Sequence, residues 1–175
     1  FRSKNKIFLD KFSKKLCGRF RRGHFEGVLN VVNRFMEIVK PKYIFLGKKD
    51  YQQLYLIRKH IEKRKIKTKV IECETIRENN GIACSSRNLK LNKDQMKIAS
   101  NIYYYLYNLK KKIKKNYSLF DVNKIKKDLM DLGANKIDYI ENYNIKHFKK
   151  IKKTDKKFNL FFAYYIKNIR LIDNI

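Results

Sequence analysis

Carboxylates are scarce in this chain. Sixteen Asp and Glu stand against 44 Lys and Arg in 175 residues, for a formal net charge of +28. A basic chain with a pI near 10 carries the electrostatic footprint of a nucleic-acid binder. The kind of cation argues otherwise. Lys outnumbers Arg by 34 to 10, whereas a base-reading surface favours the guanidinium fork, which matches phosphates and guanine edges. The lysines are spread along the whole chain and accompany 17 Asn. Lys, Asn, Ile and Tyr share A/T-rich codons, so the composition fits an A/T-biased genome. A weak, salt-sensitive affinity for polyanions is expected, with no specific nucleic-acid partner. A basic nucleic-acid-binding module is kept as the alternative function.

Cysteine is also sparse. Cys17, Cys73 and Cys84 are an odd number without CxxC spacing, which argues against a disulfide framework and a zinc site. Buried or idle thiols in a reducing compartment are expected. Long apolar runs are missing, so no membrane span is expected. The stretch at residues 1–9 is too short and too interrupted by Lys and Arg for a signal peptide. The expectation is a soluble, cytoplasmic protein. The first residue is Phe1, which suggests either N-terminal processing or a fragment.

The one proline, Pro41, ends a clear pattern. Phe25, Val28, Leu29, Val32, Phe35, Met36 and Val39 recur at helical spacing from His24 onward. Before them, Gly18 to Gly23 (GRFRRG) reads as a loop. Tyr43 to Leu46 (YIFL) reads as a strand buried on both faces of a parallel sheet. A second helix is expected over residues 50–64 and a strand over 65–72. Helix, strand, helix, strand is a crossover unit of an α/β fold. Residues 74–91 are polar and without period. A long helix is expected over 93–115, and a shorter one runs from an Asp121 cap to Leu132, with Gly133 past its end. Strands are expected at 137–140, 158–166 and 169–172, with Lys167-Asn168 as the turn. The fold class is therefore α/β, with a parallel sheet over residues 1–74, then a small α+β domain over 75–175.

Three local patterns can carry chemistry. Gly47-Lys48-Lys49-Asp50-Tyr51-Gln52-Gln53 follows a strand and opens a helix. Ligands of open α/β sheets collect at the carboxyl ends of strands, where helix N-termini favour anions. By itself the pattern is better described as a glycine turn with solvated charges and an Asp cap. Cys84-Ser85-Ser86-Arg87-Asn88 offers two hydroxyls and a guanidinium to phosphate oxygens; alone it is also an ordinary loop before a helix. His24, at a helix start, is disfavoured in its charged form and could bond a ligand as a neutral ring; a structural histidine is the plainer reading. His60 and His147 lie in basic stretches and are expected at the surface.

Taken in order, LCGRFRRGHFEGV, FLGKKDYQQL and ETIRENNGIACSSRN, with DYIE at 138–141 and RLIDNI at 170–175, closely resemble the pantothenate synthetase family over nearly the whole chain. The resemblance implies an AMP-forming ligase of the coenzyme A pathway that joins pantoate to β-alanine with ATP and Mg2+, through a pantoyl-adenylate, and it implies that residues 1–74 are the C-terminal part of a Rossmann-like nucleotidyltransferase domain. It implies an ATP site of Gly47, Lys49, Asp50, Thr75, Ile76, Ser85, Ser86 and Arg87. Lys49, Ser85, Ser86 and Arg87 would act on the phosphates, and Asp50 on Mg2+. It further implies pantoate contacts from Gln53, His24, Val28 and Val31, and a homodimer at full length. Lys48 stands where the family usually has Glu, Glu74 where it has Pro, Asn80 where it has Asp and Cys84 where it has Met. The family's N-terminal segment, with its HIGH-type histidine motif, has no counterpart here. The isolated chain is therefore expected not to catalyse the ligation.

Overall fold

A computed structural model describes residues 6–145, 148–151 and 157–175; His147 lies outside them. The chain divides into two units, Phe1–Thr75 and Ile76–Ile175.

The first unit alternates helices and parallel strands. A 3-10 turn at Lys11–Lys14 precedes α1 (Leu16–Phe20), α2 (His24–Val39), β1 (Tyr43–Gly47), α3 (Tyr51–Lys63) and β2 (Lys69–Cys73). α2 buries Phe25, Leu29 and Met36, the stripe that the spacing indicates. It stops where Lys40 turns left-handed (φ 49°) just before Pro41. β1 and β2 pair in parallel, from Tyr43 opposite Lys69 to Gly47 opposite Cys73. Ile44, Leu46 and Val70 pack on a core of Leu29, Met36, Ile57 and Ile61.

Four expectations are corrected here. β1 is covered on one face only: Phe45 is 68% exposed and Tyr43 43%. Successive strand residues point to opposite faces, and the helix core lies against just one of them. The segment 18–23 is not all loop, because Gly18, Arg19 and Phe20 end α1. Gly18 serves close packing: a Cβ there would meet the Ser13 carbonyl oxygen at 1.6 Å. β2 begins at Lys69 and not at Lys65, because residues 65–66 close α3. Lys65 is left-handed (φ 54°), and Ile66 N–H donates to the Ile61 carbonyl at 3.0 Å. His60 is no surface residue; it is 1% exposed. Its Nδ1 accepts from Phe8 N–H at 3.0 Å. Its Nε2 lies 3.0 Å from Asn33 Oδ1. With Nδ1 accepting, the ring proton belongs on Nε2, donated to Asn33. The basic neighbourhood of the sequence concealed a residue that faces inward from α3.

The second unit opens with an irregular segment, followed by α4 (Lys93–Lys115), α5 (Val122–Asp131), β3 (Lys136–Tyr143), β4 (Asn159–Ile166) and β5 (Ile169–Asn174). Asn92 and Gln95 form a reciprocal capping box at the start of α4. Asp121 caps α5 by accepting from the Asn123 and Lys124 amides, and Gly133 at φ 108° ends the turn after it. The strands form an antiparallel sheet in the order β3-β4-β5. Ile102 and Leu106 of α4 and Ile125 and Leu129 of α5 pack against Ile140, Leu160 and Phe162 of the sheet. That gives a two-layer helix-on-sheet core.

Candidate functional site

The carboxyl edge of β1 and β2 carries the first set of candidate residues. β1 ends at Gly47, a 3-10 turn covers Lys48–Asp50, and α3 starts at Tyr51. The register sets Gly47 opposite Cys73. Glu74 and Thr75 leave the same edge as Lys48 to Asp50. The short parallel pair thus brings Gly47, Lys49, Asp50 and Thr75 to one end of the sheet, where open α/β folds bind ligands. Lys49 Nζ lies 3.5 Å from Asp50 Oδ1. Asp50 occupies the cap position of α3 but makes no side-chain capping bond, so its half-exposed carboxylate is not committed to holding the helix.

Two ion pairs brace this edge. Lys48 Nζ meets Glu74 Oε1 at 2.5 Å, and Arg58 of α3 pairs with Glu72 of β2. The Glu74 hydrogen bond raises the affinity of Lys48 for its proton. Burial, then the Glu72 charge, pushes the Tyr51 hydroxyl up and keeps it neutral. Lys48 and Glu74, two of the four positions set apart from the family pattern above, pair with each other.

The neighbouring glutamines have separate duties. Gln52 is buried. Its Oε1 accepts from Cys17 N–H, and its amide donates to the Phe12 and Lys15 carbonyls. It ties the N-terminal turn and α1 to α3, a role the sequence did not signal. Gln53, one residue on, is half-buried and its side chain makes no such tie among the described residues.

His24, the first residue of α2, lines a cavity of about 400 Å³ with Lys14, Arg19, Arg21 and Arg22. Arg21 Nη1 lies 2.9 Å from His24 Nε2. A guanidinium only donates, so Nε2 accepts, and a neutral ring then carries its proton on Nδ1. The arginines at 19, 21 and 22 were legible as charge, but not as the walls of a cavity. Of the two valines, Val28 packs against the core and Val31 is 46% exposed.

The second unit holds the other candidates. Ile76 is 76% exposed and begins a narrow loop. Arg77 bridges to Ala83, Cys84 N–H donates to the Ile76 carbonyl at 3.0 Å, and Gly81 turns the chain at φ 83°. Asn88 is 4% exposed. Its amide donates to Glu78 Oε1 at 2.5 Å and to the Ala83 carbonyl at 3.1 Å. That pin holds the loop from inside. Ser86 stays exposed, Ser85 and Arg87 half-buried. Ser85 Oγ accepts from Arg87 N–H at 3.2 Å, which shapes the turn. The result is a rigidly anchored loop presenting two hydroxyls and a guanidinium.

Among the described residues no three His, Cys, Asp or Glu side chains gather as a metal cluster, and no helix is long and apolar enough to cross a membrane. The three cysteines are free thiols: Cys17 buried, Cys73 intermediate, Cys84 exposed.

Fold and edge together define an α/β protein: a parallel pair with a Gly-Lys-Asp turn at its carboxyl end, followed by a small antiparallel-sheet unit. Its relatives narrow that class. The family model described as "Pantoate-beta-alanine ligase" matches residues 3–175, and the chain belongs to that family. It is 36% identical over 176 residues to a pantothenate synthetase of Caldicellulosiruptor saccharolyticus, covering 98% of this chain and 62% of that relative. With the Thermotoga petrophila pantothenate synthetase it shares 37% over 171 residues, 94% of this chain and 59% of that relative. The crystal structure of a Thermus thermophilus pantothenate synthetase superposes with a TM-score of 0.86 at 25% identity, over 98% of this chain and 63% of that one. A Francisella tularensis pantoate-beta-alanine ligase, complexed with beta-gamma ATP and beta-alanine, matches with a TM-score of 0.73 at 32% identity, over 100% of this chain and 57% of that one. The chain therefore spans about three-fifths of the length of these relatives.

Proposed function

We propose that this chain provides part of the ATP and pantoate site of a pantoate–β-alanine ligase. The observation that carries the reading is the convergence of Gly47, Lys49, Asp50 and Thr75 on one carboxyl edge of a parallel pair. Lys49 would neutralise phosphate oxygens, and the amides at the start of α3 favour the same anion. Ser85, Ser86 and Arg87 would hold the triphosphate from their anchored loop. Thr75 and Ile76 would flank the adenosine. Gln53, which Gln52 leaves unencumbered, would hold pantoate together with His24, Val28 and Val31.

The reaction needs two displacements. A pantoate carboxylate oxygen bonds to the α-phosphorus of ATP as the Pα–O bond to pyrophosphate breaks. The β-alanine amine then bonds to the acyl carbon, the bond to AMP breaks, and the amine gives up a proton. The electrostatic problem is crowded negative charge on the phosphates, and positioned cations address it. Mg2+ keeps most of its ligands as water and phosphate oxygen and takes one or two carboxylates. The single half-exposed Asp50 fits that demand, and Mg2+ would supply further charge neutralisation.

The test is titration calorimetry of the 175-residue chain with ATP·Mg2+ against Lys49→Ala. A loss of affinity of tenfold or more in the variant is expected, and equal affinity would remove Lys49 from the site. Detection of AMP that depends on ATP, pantoate and β-alanine would overturn the accompanying expectation that this chain alone does not complete the ligation.

A further inference from the structure

A cationic groove in the second unit is not used by the reading above. Tyr103, Tyr107, Lys110, Lys111 and Lys114 follow one another along one face of α4, at spacings of four, three, one and three residues. They line a cavity of about 250 Å³ together with Arg77 and Ile175. The adjoining side of the helix carries Ile102, Leu106 and Ile113 into the interior.

The groove is layered. The Arg77 guanidinium lies 4.6 Å from the centre of the Tyr103 ring. Tyr103 stacks on Tyr107 at 5.8 Å, and Lys111 Nζ sits 4.3 Å from the Tyr107 ring centre. Lys110 Nζ is held 5.8 Å from the Phe158 ring. Ring faces therefore hold two of the three lysines where carboxylates would ordinarily do so. Arg77 is already satisfied by Asp173 at 2.6 Å. Among the described residues, Lys110, Lys111 and Lys114 make no ion pair.

Positive charge thus gathers in a concave site, and among the described residues no carboxylate side chain pairs with its three lysines. Burial, then the Lys114 charge, lowers Lys110 to a pKa of about 8, the expected consequence of crowding cations without an anion. The volume decides the size of the ligand. It is below the usual range for a drug-sized site, roughly 300–1,000 Å³, and suits a compact multiply charged group better than a whole nucleotide.

We propose that the α4 groove formed by Tyr103, Tyr107, Lys110, Lys111, Lys114 and Arg77 binds the di- or triphosphate group of a small phosphorylated anion. The source is either free inorganic pyrophosphate or the tail of a nucleotide whose base remains outside the groove. The inference rests on the second unit alone and is independent of the ligase reading.

Titration calorimetry of the 175-residue chain with pyrophosphate, with ATP and with orthophosphate tests it. The comparison proteins are Lys111→Gln/Lys114→Gln, whose altered side chains lie on exposed positions, and Arg87→Gln, which alters the other phosphate-binding candidate. Circular dichroism melting checks that each variant is folded. Pyrophosphate is expected to bind at least tenfold more tightly than orthophosphate and to lose at least tenfold in the double variant, but not in Arg87→Gln. Matching losses for ATP and pyrophosphate identify the phosphate group alone as the determinant; tighter ATP binding lost in the same variant identifies the nucleotide as the source. Unchanged pyrophosphate affinity in the double variant overturns the proposal. So does absence of pyrophosphate binding, or a single-stranded oligonucleotide that binds with a steep salt dependence while pyrophosphate does not.

Discussion

Arg77 and Asp173, 96 residues apart, are joined by two guanidinium–carboxylate hydrogen bonds of 2.6 and 3.3 Å. Arg77 also donates to the Gly81 and Asn174 carbonyls. The pair fastens the loop that begins the second unit to its last strand. A second pair, Arg170 Nε to Asp138 Oδ2 at 2.8 Å, fastens β5 to β3. The motifs around residues 77, 138 and 170–173 are thus linked physically, and their charged residues hold the second unit together.

Asp173→Asn keeps the size of the side chain and removes its charge. The Asp173 side chain is only 9% exposed, so the loss leaves the guanidinium without its counter-charge in a partly dry setting. A destabilisation of about 2 kcal/mol is expected for losing a charge-assisted pair there. Arg77→Lys should cost a similar amount, because an ammonium cannot replace the two-pronged contact. Urea denaturation followed by circular dichroism measures both. Variants as stable as the parent would show the pair to be incidental.

Part of this architecture was legible from spacing alone. The limits of α4 are readable as 93–115, ending in a lysine run, with the Asn92–Gln95 capping box seen only in the structure, and those of α5 follow from Asp121 and Gly133. Such local signals are readable because the residues that make them are close in sequence. Long-range facts were not. Nothing adjacent to His60 indicates that Phe8 and Asn33 enclose it. Nothing within YIFL reveals that one face of β1 is left bare. The candidate turn could be placed at a strand end from Gly47, yet the assignment of Gln52 to structure needed the carbonyls of Phe12 and Lys15. The Lys48–Glu74 pair is the plainest case. Read separately, each residue is a departure from a family pattern; in space they are partners.

His60 makes the stability of the first unit dependent on pH. Burial, then the Arg64 charge, lowers its pKa below the ordinary 6.5. The folded state therefore binds a proton less readily than the unfolded chain. Above pH 6.5 both states are neutral at this residue and stability is complete. Below 6.5 the unfolded state gains protons first, so stability falls as pH drops towards the lowered folded value. Protonation at Nδ1 would also remove the acceptor for Phe8 N–H. Thermal melting from pH 7.5 to 5 should show a decline that is shallower in His60→Gln. Parallel curves for the two proteins would contradict this assignment.

Gly81 lies at the tip of the loop that carries Ser85 to Arg87. Its φ is +83°, and a Cβ there would approach the Tyr103 ring within 2.3 Å. Gly81→Ala therefore combines a disfavoured backbone region with a clash, for an expected cost of about 2 kcal/mol. The displaced Tyr103 ring also helps to form the α4 groove. Pyrophosphate affinity, if the groove binds it, should fall together with stability. A variant that melts like the parent would show that the loop relaxes without cost.

The first unit exposes large apolar side chains at two places. Phe35 and Ile38 on α2 are 61% and 58% exposed, and Phe45 on β1 is 68% exposed. β1 also pairs only with β2, so its other edge offers unpaired backbone groups among the described residues. Covering such side chains is worth roughly 1.5–3 kcal/mol each, enough to drive association once several are covered together. Charge works against it: with +28 on the chain, low salt should keep copies apart, and added salt should screen that repulsion. Sedimentation velocity of the 175-residue chain should show self-association that rises with salt and weakens in Phe35→Glu and in Phe45→Lys. If association instead falls with salt, charge pairing rather than apolar contact holds the copies together. If both variants associate like the parent, neither exposed place is the contact.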